Sequence, residues 1–221
     1  MGEYNWKQHF AGFLKKINGS PVCQKWHLKN ETGEGWITVW SVLPGVQVMY
    51  TDLHMLRCSQ PVKPCKNIIE INYCVEGRYE CDVNNQYSFY VAPGDFSVGT
   101  VGRKEARGSF PTGRFSGISF FLDLSVIANK KTVLQELKIN LDTIRSIANT
   151  ERRYLVLNRN ERIDGIFNLL IHVTKEDQIS LLRLKAVEGR PVFDRHEYNE
   201  HCDSGIVGRK RTEHQCDGQR R

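Results

Sequence analysis

Between Trp36 and Leu122 the apolar residues fall in short or alternating runs, broken by turn signals at roughly ten-residue spacing. That is the pattern of an antiparallel β-sandwich or barrel. Trp36-Ile37-Thr38-Val39-Trp40 leads through Leu43-Pro44-Gly45 into Val46-Gln47-Val48-Met49-Tyr50. The β-branched and aromatic residues suit a pleated, half-buried surface, and Pro-Gly supplies the reversal. Ile68 to Cys74 and Arg78 to Val83, joined by Val75-Glu76-Gly77, predict a hairpin. Tyr87 to Ala92 ends at Pro93-Gly94-Asp95, where proline presets φ and glycine accepts positive φ. Phe96-Ser97-Val98 then resumes the sheet, and Phe115 to Leu122 is the last strand of the pattern.

After Asp123 the period changes. Val133, Leu134, Leu137, Leu141, Ile144 and Ile147 recur at three- and four-residue steps, with Asn140 marking a break. Ile163, Ile166, Phe167, Leu170 and Val173 repeat that spacing, as do Ile179, Leu182 and Ala186 beyond Lys175-Glu176-Asp177. These last two sets predict a helical hairpin. Such a pair either packs wholly on the β domain or keeps a second stripe, here Ile166, Leu170 and Leu182, for a homodimer. At Glu188-Gly189 the periodicity stops. A segment without apolar period cannot offset its ordering entropy by burial, so residues 189–221 are expected to be disordered, and they read as an out-of-frame translation of a truncated chain. The expected organisation is an N-terminal extension over 1–34, a β domain over 35–123, a helical linker and dimerisation region over 124–188, and a tail over 189–221. The fold class is α+β.

Composition alters this picture little. At 221 residues, 40% hydrophobic and 25% charged, the chain matches ordinary globular proteins and excludes collagen-like and wholly disordered classes. Seven Cys are too few, and odd in number, for a disulfide scaffold, and they fit reduced thiols in a cytoplasm. No uncharged apolar run approaches the ~18 residues needed to cross a bilayer. The best candidate, Ile118 to Ala128, is interrupted by Asp123. Met1-Gly2-Glu3-Tyr4-Asn5-Trp6 lacks an apolar signal core, so the expected location is cytoplasmic, without a membrane partner. The charge of +6 favours solubility, and Arg103, Lys104, Arg107, Arg114 and the Arg209-Lys210-Arg211 run lie on no evident recognition helix.

The run from Glu70 to Glu80, the Pro93-Gly94-Asp95 turn, and Phe110-Pro111 followed by Gly117-Ile118 resemble the N-terminal sensor domain of AraC-type bacterial transcriptional regulators. The resemblance extends from Gly35 to Glu188. It implies a cupin-like antiparallel barrel or sandwich, a small-molecule effector, a helical linker that often mediates dimerisation, and a C-terminal region of two helix-turn-helix units. The residues after Glu188 lack the apolar spacing around a short turn that such units require. What the resemblance implies is therefore the sensing half, with specific DNA binding expected only of an intact full-length relative.

Candidate chemistry is sparse. Cupin enzymes hold a metal through His and carboxylate donors, and His54 is the lone His between Trp36 and Leu122, so no metal, cofactor or catalytic residue is expected. Cys58 and Cys65 are not at zinc spacing, and Cys74 and Cys81 fall on strands, where buried Cys acts as a small hydrophobe. His196, His201, Cys202, His214 and Cys216 in the tail lack paired ligand spacing. By alternation Ile69, Ile71 and Tyr73 share one face while Glu70, Asn72 and Cys74 share the other. The sequence does not say which faces inward. Glu70, Asn72 and Arg78 are the candidate ligand anchors, against the plain reading of Glu70 and Arg78 as a solvated surface pair. A noncatalytic binding module is the expectation, and a stand-alone cupin-like enzyme on a small metabolite is the alternative.

Overall fold

Alternating side chains sort this chain into two cores on opposite faces of one large sheet. The computed structural model describes residues 14–59, 65–83, 87–101, 106–129, 141–148, 154–159 and 161–171. Its strands are β1 (Leu14–Gly19), β2 (Cys23–Asn30), β3 (Gly33–Leu43), β4 (Val46–Met55), β5 (Arg57–Ser59) and β6 (Cys65–Gly77). There follow β7 (Tyr79–Val83), β8 (Tyr87–Val91), β9 (Phe96–Val101), β10 (Ala106–Ser109), β11 (Phe115–Asp123) and β12 (Tyr154–Leu157). The helices are α1 (Leu124–Asn129), α2 (Leu141–Ala148) and α3 (Glu161–Ile171).

Eight strands form an antiparallel sheet in the order β1-β2-β3-β4-β11-β6-β9-β12, and four form a second in the order β5-β10-β7-β8. Between the sheets, Trp26, Leu28, Ile37, Val39, Met49, Phe115 and Phe121 of the large sheet meet Cys58, Cys81, Phe89 and Val91 of the small one. On the other face of the large sheet, Trp40, Val42, Val48, Ile69, Ile71, Phe96, Val98, Ile118 and Phe120 meet Leu124, Ile127, Ile144, Phe167 and Leu170 of the helices. The central strands are thus covered on both sides. That is why the sequence from Phe115 to Phe121 is buried at every position rather than alternating.

The antiparallel β domain expected from the sequence is present, but the described residues are mostly β rather than the expected α+β, and four details differ. Residues 14–30, set apart by the sequence pattern as part of an extension, supply β1 and β2, and Trp26 and Leu28 enter the inter-sheet core. Lys15, Lys25 and Lys29 on the exposed face dilute the apolar signal there. Within the supposed all-helical linker, Tyr154–Leu157 pairs with β9 as an edge strand, too short to show a period of its own. The hairpin expected across Val75-Glu76-Gly77 does not form. β6 pairs with β11 and β9 in the large sheet, while β7 pairs with β8 and β10 in the small one, so Gly77 is a corner between sheets. Pro93-Gly94-Asp95 is likewise a corner, carrying the chain from β8 into β9. Two short apolar runs joined by a glycine turn look alike in sequence whether they pair or part.

The helical spacing around Ile144 and Phe167 is realised in α2 and α3, and β11 ends where the period changes. The second arm of the helical hairpin, with Leu182, and the tail from 189 lie outside the described residues, as do 130–140. No helix among the described residues is long and apolar enough to cross a membrane.

The Gly77 corner is conformationally demanding. Its φ is +84°, and a Cβ there would overlap the Arg114 carbonyl oxygen. Gly77→Ala should destabilise the fold by about 1–3 kcal/mol, the cost of a strained left-handed residue. The urea midpoint measures it, and an unchanged midpoint would show that the corner relaxes freely.

Candidate functional site

The question the sequence left open is answered by the sheet's two cores. Ile69, Ile71 and Tyr73 face the helices, whereas Cys74 faces the small sheet, and Glu70 and Asn72 share its side by alternation. Asn72 stands opposite Ser119 on β11 and Ser97 on β9, and Glu70 stands opposite Phe121 and Gly99. Ser97 and Ser119 are buried, Glu70 and Asn72 half-buried. Ser119 Oγ lies 3.3 Å from Glu70 Oε1 and 3.2 Å from Asn72 Oδ1. A hydroxyl has one proton, so Ser119 donates to one of these acceptors at a time. Along the same inward face Gln47 Nε2 donates to Ser41 Oγ at 3.4 Å, and Thr51 is buried.

This is a line of one carboxylate, two amides and several hydroxyls, set among Met49, Cys74 and Phe121 between two sheets. Mostly apolar linings with a few placed polar groups are the composition of small-molecule sites. The arrangement can hydrogen-bond and orient a ligand. Among the described residues no group of three or more His, Cys, Asp and Glu is placed to hold a metal ion. Ser97, Ser119, Thr51 and Gln47 were missed by sequence reasoning. The available signal was a serine flanked on both sides by buried apolar residues, Phe96-Ser97-Val98 and Ile118-Ser119-Phe120, in strands covered on both faces.

Arg78 does not join them. It lies on the outer face of the small sheet, with its Nε 2.6 Å from Glu80 Oε1 and its guanidinium 4.1 Å from the Tyr90 ring centroid. Both partners of that ion pair are some 40% exposed, so it contributes little to stability. Cys74 is sealed from water, and burial first, then the Asp95 carboxylate, push its thiol up to about 12. It remains a neutral thiol at physiological pH and is no nucleophile. Cys58 and Cys81 are buried in the inter-sheet core, and Cys65 is half-buried. His54 is exposed, with Nε2 3.5 Å from Asp52 Oδ1.

Behind the inward line, on the helix side, stands a second polar group. Tyr73 O–H donates to Asp164 Oδ1 at 2.8 Å, and Arg159 Nε donates to Asp164 Oδ2 at 2.6 Å. Burial alone would raise the Asp164 pKa. The hydrogen bonds from Tyr73 and Arg159, with the Arg159 charge, outweigh it and hold the carboxyl below its usual range. Burial, then the bond to Asp164, push the Tyr73 phenol far up, so it stays a donor. The Tyr73 ring also stacks on Phe167, with centroids 4.5 Å apart, and Phe120 meets Phe167 edge-on at 5.8 Å. Leu170, assigned by the sequence pattern to a dimer stripe, is 4% exposed and packs within this same core. Ile166 lies on α3, its side chain outside the described residues.

No protein-family model and no curated protein matches the chain. Solved structures similar to it include GK1651 of Geobacillus kaustophilus, at 17% identity and TM-score 0.30, covering 50% of this chain and 43% of that one. The AraC-like transcriptional activator CuxR matches at 17% identity and TM-score 0.34, covering 83% of this chain and 63% of that one. A mutant of the Bacillus subtilis oxalate decarboxylase OxdC matches at 12% identity and TM-score 0.30, covering 64% of this chain and 44% of that one. The chain spans less than two thirds of the length of each. Likenesses of this size assign no function, and the site is read from its own geometry.

Asp164 gives the fold an acid-sensitive point. Its folded-state pKa is depressed, so its contribution is fully present above the unfolded value of about 3.9 and is lost as pH falls through the folded-state value. Asp164→Asn should cost about 1.5–3 kcal/mol at pH 7, the range for hydrogen bonds to a charged group. That deficit should shrink towards pH 3, as the wild type loses what the variant lacks. Urea denaturation of both proteins at the two pH values measures the difference, and a deficit independent of pH would assign it to packing instead.

Proposed function

We propose that this chain is the effector-binding part of an AraC-type transcriptional regulator, a noncatalytic, cupin-like module that holds a small molecule between its two sheets. One observation carries the reading: Glu70, Asn72, Ser97 and Ser119 sit on the same face of three neighbouring strands and point into the inter-sheet core. Polar side chains are costly to place there unless they find partners. The donor set suits hydrogen bonding to a ligand better than ligation of a transition metal, which favours imidazole and thiolate. The AraC-like order of motifs from Glu70 to Ile118 supports the same reading. The effector enters the proposal as a small molecule of several hydrogen-bonding groups. Self-association belongs to the proposal as a homodimer in a cytoplasmic setting, and Leu170 has no part in it.

A thermal-shift screen of the full chain against neutral sugars, amino acids, amines and carboxylic acids tests this. A compound that raises the melting temperature is then titrated calorimetrically. Asn72→Leu should weaken it at least about tenfold, the effect of losing ~1.4 kcal/mol of contact, while Arg78→Ala should leave it unchanged. The reading fails if no compound of these classes binds, or if Asn72→Leu binds as the wild type does. Conversion of the bound compound, followed by mass spectrometry, would favour a cupin-like enzyme.

A further inference from the structure

The inward polar line and the anchorage of α3 are two sides of one wall. On β6, Asn72 faces the inter-sheet core and its neighbour Tyr73 faces α3. On β11, Ser119 faces the inter-sheet core and its neighbour Phe120 faces α3. The two strands are paired with Asn72 opposite Ser119. Two polar groups that touch each other inside are therefore each one residue away from an aromatic that grips Phe167 outside.

A third tie comes from the Pro93-Gly94-Asp95 corner. Gly94 N–H donates to the Cys74 carbonyl at 2.9 Å, and Cys74 N–H donates to the Asp95 carbonyl at 3.0 Å. The Arg159 side chain lies across Gly94, its Cγ and Cδ 2.9 Å from where a Cβ would stand. Arg159 also holds Asp164, which holds Tyr73. The segment of β6 from Asn72 to Cys74 is thus fixed to α3 through Tyr73 and to the corner through Cys74.

We propose that Tyr73, Phe120 and Asp164 form the joint by which occupancy between the sheets and docking of α3 are linked. Consecutive side chains on a strand share a rigid peptide unit, so a strand that rotates or shifts to accommodate a group inside must move its neighbour outside. Packed interfaces respond to such shifts by adopting a second arrangement rather than by stretching. Filling the site would weaken the grip on Phe167 and Asp164, and freeing α3 would loosen Asn72 and Ser119. Linkage requires both directions. This rests on the reading of the inward line as the ligand site.

The test uses the full chain and no ligand, so it fails or succeeds apart from the binding screen. Ser119→Leu places an extra group between the sheets as a covalent stand-in for an occupant. Hydrogen exchange followed by mass spectrometry should show amides of residues 161–171 exchanging about tenfold faster, while β5 and β10 stay as in the wild type. Cys81→Leu, which overfills the same core from the small sheet, should not change exchange at 161–171. In the reverse direction, Asp164→Asn should speed exchange at 71–74 and 117–120. If Ser119→Leu does not fold, Ser119→Val, which replaces the hydroxyl that reaches Glu70 and Asn72 and adds one methyl group, is judged by the same pattern. Unchanged exchange at 161–171, an increase shared equally by β5 and β10, or the same increase in Cys81→Leu would each overturn the proposal.

Discussion

A carboxylate with 6% of its residue's surface exposed, that of Asp164, is tolerable in a protein interior only if both oxygens are hydrogen-bonded. Tyr73 and Arg159 meet that demand, and in meeting it they determine where α3 lies. Hydrophobic contact alone would let a helix slide over a sheet with little change in buried area, because such contact has no direction. The bond from Tyr73 to Asp164 has a direction and a length. Together with the stacked ring of Phe167 it selects one position of α3 over β6 and β11. The Arg159 side chain is largely exposed, so its charge is screened and its contribution is more to placement than to energy.

With α3 so placed, the large sheet becomes a wall with no free face at its centre. Its back is closed by Leu124, Ile127, Ile144, Phe167 and Leu170, and its front by the small sheet. A polar group on the front of that wall is therefore removed from bulk water by the fold as a whole. Ser97 and Ser119 are sealed there, and Glu70 and Asn72 remain partly open. Exposure rises from the sealed serines to the half-buried carboxylate and amide. How far these inward groups are removed from water is thus partly a consequence of what covers the sheet's reverse side.

Much of this was legible in the sequence, and the exceptions have physical causes. The β-branched and aromatic runs from Trp36 to Tyr50 marked β3, β4 and their Pro-Gly turn, and the two strands do pair across it. The change of period after Asp123 was equally plain. Alternation also sorted Glu70 and Asn72 from Ile69 and Ile71. It could not orient them, because both faces of β6 are covered and each carries buried apolar residues. The hairpin expected at Gly77 was misread for a related reason. Periodicity reports which face of a strand is apolar and carries no information about which strand lies beside it, so a change of sheet at a glycine leaves no trace. Tyr73–Asp164 was out of reach altogether, being a contact between residues 91 positions apart whose local contexts are an ordinary strand and an ordinary helix.

The same wall bears on what the interior can do chemically. Nucleophilic catalysis needs a thiol or hydroxyl beside a base that can take its proton. Cys74, the thiol nearest the polar line on β6, is held neutral by burial and by the Asp95 carboxylate. Ser119 has Glu70 and Asn72 within hydrogen-bonding distance, at 3.3 and 3.2 Å. A hydroxyl shared between two acceptors is stabilised where it is, and it presents those acceptors to any donor that enters beside them. Any donor that entered beside them would meet the Glu70 carboxylate and the Asn72 carbonyl together, so the hydrogen bonds such a group could make decide how it would be held.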